Sequence, residues 1–595
     1  MVGYGGIFLV SSSTEKNVVS KIIRECFKTL YIYGDESFGL AVDFDSNTKV
    51  WKSLNVARIL ELENVGEASL AIGICRYAIY GRPAIPNTPP FLDCAGRLIL
   101  VARGILENPA SLRLKLLRSG HILRGKDISE LLVHIIEENT RNNSKNIDEE
   151  LCRIYETFKG VFSLILYDKE TNIKYVLTKG LAEYVGMDEE LIVVSSEPDI
   201  LLKNNLEPLK ITDGAIKIDD TKISIIHGEL IKPKIRLGKI VGGFDYHMER
   251  EMSEIPLIIT AQRYAQPRKY IAMITKLIKR SDKIFMIGSG SSYNSALYGG
   301  YIINELSEIQ PIVQNATEFI YFHLHKVRPG DTIIANSQSG KTQDVMRAVT
   351  KSRMKGAIII GVINRLGTPL MYASNVYLHI AAGIEVAVPA TKTFIGQLTT
   401  FARLAVELSN LPENEKKKLE EEFEKLPLLA RKTMERCREV IDRYASKIYG
   451  FDDAFVLGRG ASFSIAAEGA LKLKEVAHIH AEGLDAGEFR HGTKTFVKLG
   501  YPIVFLIPQD LEAREDTYDL ISEVGEFVDM LIITDESDPF AEKFTGFVIR
   551  VPRIHDIFIP ILYTIPLQHL ALRLGVLRKK PIDRPPKLNK YVVSG

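Results

Sequence analysis

The sequence predicts an α/β protein: a mixed α+β domain at the front, then two domains each built on a doubly wound parallel sheet. Three observations predict it. From about residue 270 onward, short apolar runs alternate with helix-length segments, and this rhythm occurs twice. The two halves open on similar turns, Gly288-Ser289-Gly290-Ser291-Ser292 and Gly458-Arg459-Gly460-Ala461-Ser462, 170 residues apart. Residues 1–238 read instead as β-rich with few helices. Short, fully apolar strands between helices suit parallel sheets covered on both faces. A single offset of this size marks a duplicated domain and not a solenoid.

In chain order, strands are expected at Gly6–Ser11, Leu98–Ala102, Val161–Tyr167, Lys174–Thr178 and Leu191–Ser195, with helical periodicity at Val18–Thr29 and Ile128–Glu138. Gly242-Gly243 suits a hinge. The first repeat carries apolar runs at Ile284–Ile287, Thr332–Ala335, Ala357–Ile363 and Val376–Ile380. The second carries them at Ala454–Leu457, Ile503–Ile507, Met530–Thr534 and Phe547–Val551. Between the repeats, Pro412 to about Ser446 is charged and helical, a solvated connector. The prolines of the tail Asp583-Arg584-Pro585-Pro586-Lys587-Leu588-Asn589-Lys590-Tyr591 argue against a helix.

Composition excludes several classes. The 595 residues exceed one core, and 46% hydrophobic with 25% charged is an ordinary globular balance. A net charge of +2 gives no case for nucleic-acid binding. The five cysteines are scattered without a C-x-x-C pair, which argues against disulfides and zinc and for a reducing, cytoplasmic setting. No run reaches the ~18 apolar residues that span a bilayer, so no membrane partner is expected.

Two motifs carry chemistry. Asn336-Ser337-Gln338-Ser339-Gly340-Lys341-Thr342 follows a strand and opens a helix, a geometry that holds phosphate through backbone N–H groups, hydroxyls and the helix dipole. A nucleotide P-loop would need glycine where Ala335 stands. A sugar-phosphate cradle or a plain helix cap remains, and Ser291 and Ser292 occupy an equivalent turn. In the second motif, Glu468, Lys472 and Glu475 are spaced i, i+4, i+7 on one helix face, where the bland alternative is an ion-pair stripe. His478, His480, Glu482, Glu488 and His491 follow, without the spacing of a metal motif.

Together these stretches resemble one family. Gly290–Ser295, Ser337–Gly340, Glu468–Glu475 running on to Glu482, Gly487–Gly492 and the tail Leu588-Asn589-Lys590 are similar to the glutamine–fructose-6-phosphate aminotransferases, strongly over 245–595 and weakly but colinearly over 1–238. The resemblance implies a glutaminase-like αββα sandwich of the N-terminal-nucleophile type at 1–238 and a linker with a leading helix at 239–270. Two SIS domains are implied at 271–412 and 446–580, with connecting helices at 413–445 and a site-forming tail at 581–595.

It also implies roles. Ser292, Ser337, Gln338, Ser339 and Thr342 would hold the sugar phosphate, and Ser291, Val388 and Glu385 would line the sugar. Lys590 would form an imine with the ketose, Glu475 would move the proton between C1 and C2, and Lys472 would tune it. His491 would assist ring opening from a neighbouring subunit, so a homodimer is expected, with no cofactor and no metal. Arg76 and Asp127 would hold the glutamine α-carboxylate and α-amine.

The isomerase half departs from the family at Lys341, Ala390 and Asn589, and the front domain departs more. Val2 stands where the family has its cysteine nucleophile, and Arg103 replaces the asparagine that stabilises the oxyanion. Tyr77 replaces a gating tryptophan. Cys26 and Cys75 cannot substitute, because the chemistry uses the chain's own terminal amine. The expected protein is a sugar-phosphate isomerase or aminotransferase taking ammonia from solution or a partner. The alternative is a non-catalytic sugar-phosphate sensor acting on a related enzyme.

Overall fold

The structure is a computed structural model that describes residues 4–13, 16–44, 47–61, 68–142, 146–233, 243–544 and 546–590. Val2, Gly242 and Tyr591 lie outside the described residues. The chain divides into two compact units: Met1–Asp245 with Arg263–Pro267 and Ala381–Ile384, and Tyr246–Gln262 with Arg268–Ile380 and Glu385–Gly595.

Strand alternation builds the first unit. Its strands join in an eleven-stranded antiparallel array. Because successive side chains point to opposite faces, the Gly6–Ser12 strand sends Phe8 and Val10 against the Lys16–Leu30 helix, while Ile7 and Leu9 join a second core. The Leu98–Leu106 strand likewise gives Leu98, Leu100 and Ala102 to the Ile128–Asn142 helix, and Ile99 and Val101 to that same second core. The buried residues of the second core come from strands alone. Two strand layers therefore face each other with helices outside both, the expected αββα sandwich. The Ser37–Asp43, Thr48–Ser53, Leu70–Arg76, Phe91–Leu92, Leu209–Ile218 and Ile223–Gly228 strands add to the five expected ones.

The second unit holds two five-stranded parallel sheets of the same topology. The first runs Ile312–Asn315, Ile284–Gly288, Thr332–Ser337, Ile358–Ile363, Val376–His379 across the sheet. The second runs His480–Asp485, Asp453–Gly458, Tyr501–Leu506, Val528–Asp535, Phe547–Val551. The opening turns are nearly superposable, with Gly290 at φ 56°, ψ −131° and Gly460 at φ 52°, ψ −130°. Both conformations are ones that side-chain-bearing residues avoid. In this order the chain reverses direction between the first and third strands, so their loops flank a crevice at the carboxyl ends, where ligands of such sheets bind.

Three expectations are corrected. The connector is one helix, Glu413–Ile448, containing Pro427, and it is not merely solvated: Leu419, Phe423, Leu426, Ala430, Cys437, Ile441, Tyr444 and Ile448 form a buried stripe. An apolar stripe three to four residues apart is what a core-facing helix needs. Asp556–Leu577 is long and apolar enough to cross a membrane, but 89% of its apolar window is buried inside the protein. It is apolar all round because its helix, Ile559–Leu577, packs on several sides, a burial that composition alone does not separate from a membrane span. The third correction concerns Glu475: the α-helix stops at Lys472, and Leu473–Ala477 form a π-helical turn closed by His478 at φ 54°.

Candidate active site

The cradle lies at the switch point of the first parallel sheet. The Thr332–Ser337 strand ends in a loop whose hydroxyls converge: Ser337 Oγ is 3.0 Å from Thr342 Oγ1 and accepts from Gly340 N at 3.2 Å. Ser339 Oγ accepts from Lys341 N at 3.2 Å. Gly340 sits at φ 62°, and a Cβ there would meet Thr368 Oγ1 at 2.2 Å, so the turn admits only glycine. Thr342 is the N-cap of the Gln343–Met354 helix, yet its side chain makes no cap bond, which leaves the helix N-terminus facing this loop.

Ser292, across the crevice, accepts a bond at Oγ from Gln397 Nε2 at 2.9 Å. Gln397 is held in turn by Ser295 Oγ at 2.8 Å, and Asn336 Nδ2 ties Ser295 Oγ and the Ser292 carbonyl to the cradle strand at 2.7 and 2.8 Å. Sequence reading passed over Gln397, which lies in an apolar, hydroxyl-rich run without a motif of its own, and gave Asn336 no role beyond opening the cradle motif. The equivalent loops of the second sheet are tied to neighbouring helices. There Arg459 pairs with Asp516 at 3.0 Å, and Gln509 donates to Tyr563 Oη at 2.8 Å.

Ser291 joins the cradle to the charged motif. Its Oγ donates to Glu468 Oε1 at 2.8 Å, Asn294 Nδ2 donates to Glu468 Oε2 at 2.9 Å, and Lys472 Nζ reaches Ser291 Oγ at 3.3 Å. Lys472 lies 3.4 Å from Glu468 and pairs closely with Glu475. Glu468 and Lys472 are each 1% exposed, which removes the reading of a solvated ion-pair stripe. Burial pushes the Glu468 carboxyl up, offset in part by Lys472. Burial would lower the Lys472 ammonium, but Glu468 and Glu475 outweigh it and hold it protonated well above its ordinary value. The π turn brings Glu475 back onto Lys472 and leaves the carboxylate 19% exposed, able to meet a substrate.

The tail supplies the remaining group. Lys590 Nζ is 2.7 Å from Glu385 Oε2, pairs closely with the Ala387 carbonyl and lies 3.5 Å from the Val388 carbonyl. Val388 thus meets Lys590 through its backbone, and its N–H donates to Asp583 O at 2.9 Å. Glu385 accepts from Thr391 N at 2.9 Å, Thr393 N at 3.2 Å and Thr393 Oγ1 at 2.7 Å, at the start of the Lys392–Leu408 helix that carries Gln397. Burial would raise its carboxyl, but Lys590 and these donors bring it down to about 2. Glu251 is buried nearby, receiving Ala387 N at 3.3 Å, and burial with the Glu385 charge pushes it up to about 7 against the pull of Lys392. Asp583 anchors the tail by accepting from His247 N and Met248 N at 2.8 and 2.9 Å. His491 stands apart: it is exposed after the Glu488–Arg490 turn and belongs to neither hydrogen-bonded cluster among the described residues.

In the first unit the residues expected to hold glutamine hold each other. Arg76 Nε lies 2.7 Å from Asp127 Oδ2, and Arg76 Nη2 donates to the Tyr80 carbonyl at 2.7 Å. Arg103 is fully buried, paired with Glu183 at 2.8 Å and donating to the carbonyls of Gly5 and Ala182 at 3.0 and 2.8 Å. Glu183 is locked by Ser163 Oγ at 2.7 Å and Ser196 Oγ at 2.8 Å. With Tyr77, Tyr80 and Arg103 lining it, the cavity beside Arg76 and Asp127 is about 10 Å³, room for no more than about one water. Cys26 and Cys75 are buried, and burial pushes both thiols well above their ordinary range, far from nucleophilic. Glu183 escaped sequence reading because one acid in a strand carries no signal without its partner.

Comparison with known proteins agrees with this architecture. The SIS domain family matches residues 276–407 and 447–578. The glutamine–fructose-6-phosphate aminotransferase [isomerizing] of Thermococcus kodakarensis is 32% identical over 595 residues, covering 96% of this chain and 97% of its own. The protein of the same name from Pyrococcus horikoshii is 29% identical, again over 96% and 97%. Among solved structures, the C-terminal domain of glucosamine-fructose-6-phosphate aminotransferase from Francisella tularensis is 27% identical with a TM-score of 0.55, covering 58% of this chain and all of that one. The chain therefore belongs to the glutamine–fructose-6-phosphate aminotransferase [isomerizing] family.

Proposed function

We propose that the second unit isomerises, and where ammonia is available aminates, fructose 6-phosphate or a close relative. The observation that carries this reading is how the two motifs are joined: Asn336, next to the Ser337–Thr342 cradle, bonds the Ser292 carbonyl, and the adjacent Ser291 bonds Glu468 and meets Lys472, which pairs with Glu475. The cradle fixes the phosphate, and with it the position of C1 and C2, so the chemistry begins from a set orientation. Lys590 attacks the open-chain ketose C2 and forms an imine with loss of water, a better electron sink than the ketone; ammonia then displaces the Lys590 amine and leaves its own imine at C2, or water displaces it and restores the ketose. Attack needs the neutral amine, so the ammonium gives up its proton to water as the substrate enters. Glu385, held ionised beside it, accepts from the ammonium before substrate arrives and stabilises cationic imine afterwards.

Glu475 then moves a proton between C1 and C2. Lys472 stays protonated and pairs closely with the Glu475 carboxylate, which acts as the base. His491, exposed on its own chain, serves ring opening in a neighbouring copy, which makes a homodimer the working form.

The first unit does not release ammonia from glutamine in this reading. Arg103, engaged on all sides, has displaced an oxyanion donor, and the cavity beside Arg76 and Asp127 lacks room for an amino acid. Nitrogen comes from free ammonia or a separate partner. Borohydride reduction in the presence of fructose 6-phosphate tests the sugar chemistry. Peptide mass analysis is expected to find a hexose-phosphate adduct on Lys590. Tight fructose 6-phosphate binding with no adduct would favour a sensor.

A further inference from the structure

Four side chains with metal-binding atoms converge on the helical face of the first unit, from three separate elements. Cys94 lies in the turn between the Phe91–Leu92 and Leu98–Leu106 strands. His121 follows the Pro109–Arg118 helix, and His134 and Glu137 sit one turn apart on the Ile128–Asn142 helix. Cys94 Sγ is 3.4 Å from His121 Nδ1 and 3.7 Å from His134 Nδ1. Glu137 Oε2 is 3.0 Å from His134 Nδ1 and 3.6 Å from His121 Nδ1. All four atoms lie within 4.8 Å of one another.

These are the edges of a small tetrahedron. Zinc held at about 2.3 Å from sulfur and about 2.0–2.1 Å from nitrogen or oxygen requires sulfur–nitrogen edges of about 3.5 Å and nitrogen–oxygen edges of about 3.3 Å. The measured edges bracket both values. The surroundings orient the ligands. His121 Nε2 lies 2.7 Å from Glu138 Oε2, so its proton belongs on Nε2 and its lone pair on Nδ1, facing Cys94. Glu137 is steadied through Oε2 by Cys94 N at 3.0 Å, while its Oε1 faces Arg141 at 3.8 Å, which leaves Oε2 as a single ligand. His134 and Glu137 are buried, and the exposed Cys94 gives a metal its way in.

We propose that Cys94, His121, His134 and Glu137 form a four-coordinate structural zinc site. The mixed sulfur, nitrogen and oxygen donors suit Zn²⁺, and one thiolate with one carboxylate neutralises its charge, as burial demands. With four protein ligands the site is closed and has no position for substrate. It pins the strand turn and the His121 loop to the Ile128–Asn142 helix. Its ligands share no residue with the sugar chemistry. Sequence spacing concealed it: Cys94 and His121 are 27 residues apart, with no C-x-x-C or H-x₃-H pair to mark them.

The full-length chain, purified from zinc-supplemented cells without chelator, is the material for the test. Elemental analysis is expected to find about one zinc per chain, as a closed structural site requires. Replacing the metal by Co²⁺ is expected to give a thiolate-to-cobalt charge-transfer band and the intense visible bands of a tetrahedral centre. Cys94→Ser and His134→Ala should each remove the bound zinc, and Cys94→Ser should remove the charge-transfer band. Zinc-free wild-type protein with no cobalt spectrum would overturn the proposal and leave a hydrogen-bonded cluster. Unchanged zinc content in Cys94→Ser would overturn it as well. The wild-type measurements decide the matter even if a variant fails to fold.

Discussion

Lys590 Nζ sits 2.7 Å from Glu385 Oε2, so the C-terminal tail is held by a carboxylate that also caps the Lys392–Leu408 helix. One acid thereby couples the position of the Lys590 amine to the element that carries Gln397 and reaches Ser292.

That coupling has a pH signature. Glu385 is depressed from 4.5 to about 2. A depressed carboxylate contributes stability that is present above its unfolded pKa and is lost as pH falls through its folded one. Thermal melts of wild type and Lys590→Met should differ most above about pH 4.5 and converge toward pH 2. A difference that is constant down to pH 2.5 would show that the pair is not formed.

Glu251 predicts the opposite slope. Its carboxyl is raised from 4.5 to about 7 by burial and by Glu385. Its contribution is full below pH 4.5 and is lost as pH rises through about 7, at no more than ~1.4 kcal/mol per pH unit. Glu251→Gln should flatten the fall in stability between pH 4.5 and 7. Parallel curves for the two proteins would count against this assignment.

The proton transfer proposed for Glu475 can be tested with the fold left intact, because its carboxylate is 19% exposed. Glu475→Gln is expected to lower kcat by about 100- to 10,000-fold while leaving the KM for the sugar phosphate within a few-fold. Circular dichroism and melting temperature should stay near wild type, because the side chain reaches solvent. A rise in KM with unchanged kcat would make Glu475 a binding group.

The Arg103–Glu183 pair is fully buried. Arg103→Ala strands a carboxylate and is expected to cost about 3–5 kcal/mol, read as a lower melting transition of the first unit. The double variant Arg103→Leu/Glu183→Gln should recover much of that loss. Single and double variants of equal stability would remove the ion pair from the account.

Sequence periodicity reached the strands it read as apolar runs and passed over others whatever their burial, the fully buried Ser37–Asp43 and Leu70–Arg76 among them. Phe547–Val551 appears as expected, whereas Ile312–Asn315 and His480–Asp485, edge strands with half-exposed faces, lack an apolar run to announce them. The cradle was legible because its turn chemistry is local: Ser337 to Thr342 act within six residues. Glu468, Lys472 and Glu475 were legible as a stripe, but the π turn that sets Glu475 on Lys472 was not, since helical propensity does not distinguish it from another α turn. Arg103 stood out as a departure, yet its partner Glu183 is 80 residues away and only folding joins them.

The proposed function combines a working sugar site with a glutaminase-like unit that yields no ammonia. It is tested most directly by following glucosamine 6-phosphate formed from fructose 6-phosphate in parallel reactions, one with ammonium and one with glutamine at negligible ammonium. The account predicts product with ammonium and none with glutamine. Product from glutamine alone would contradict it.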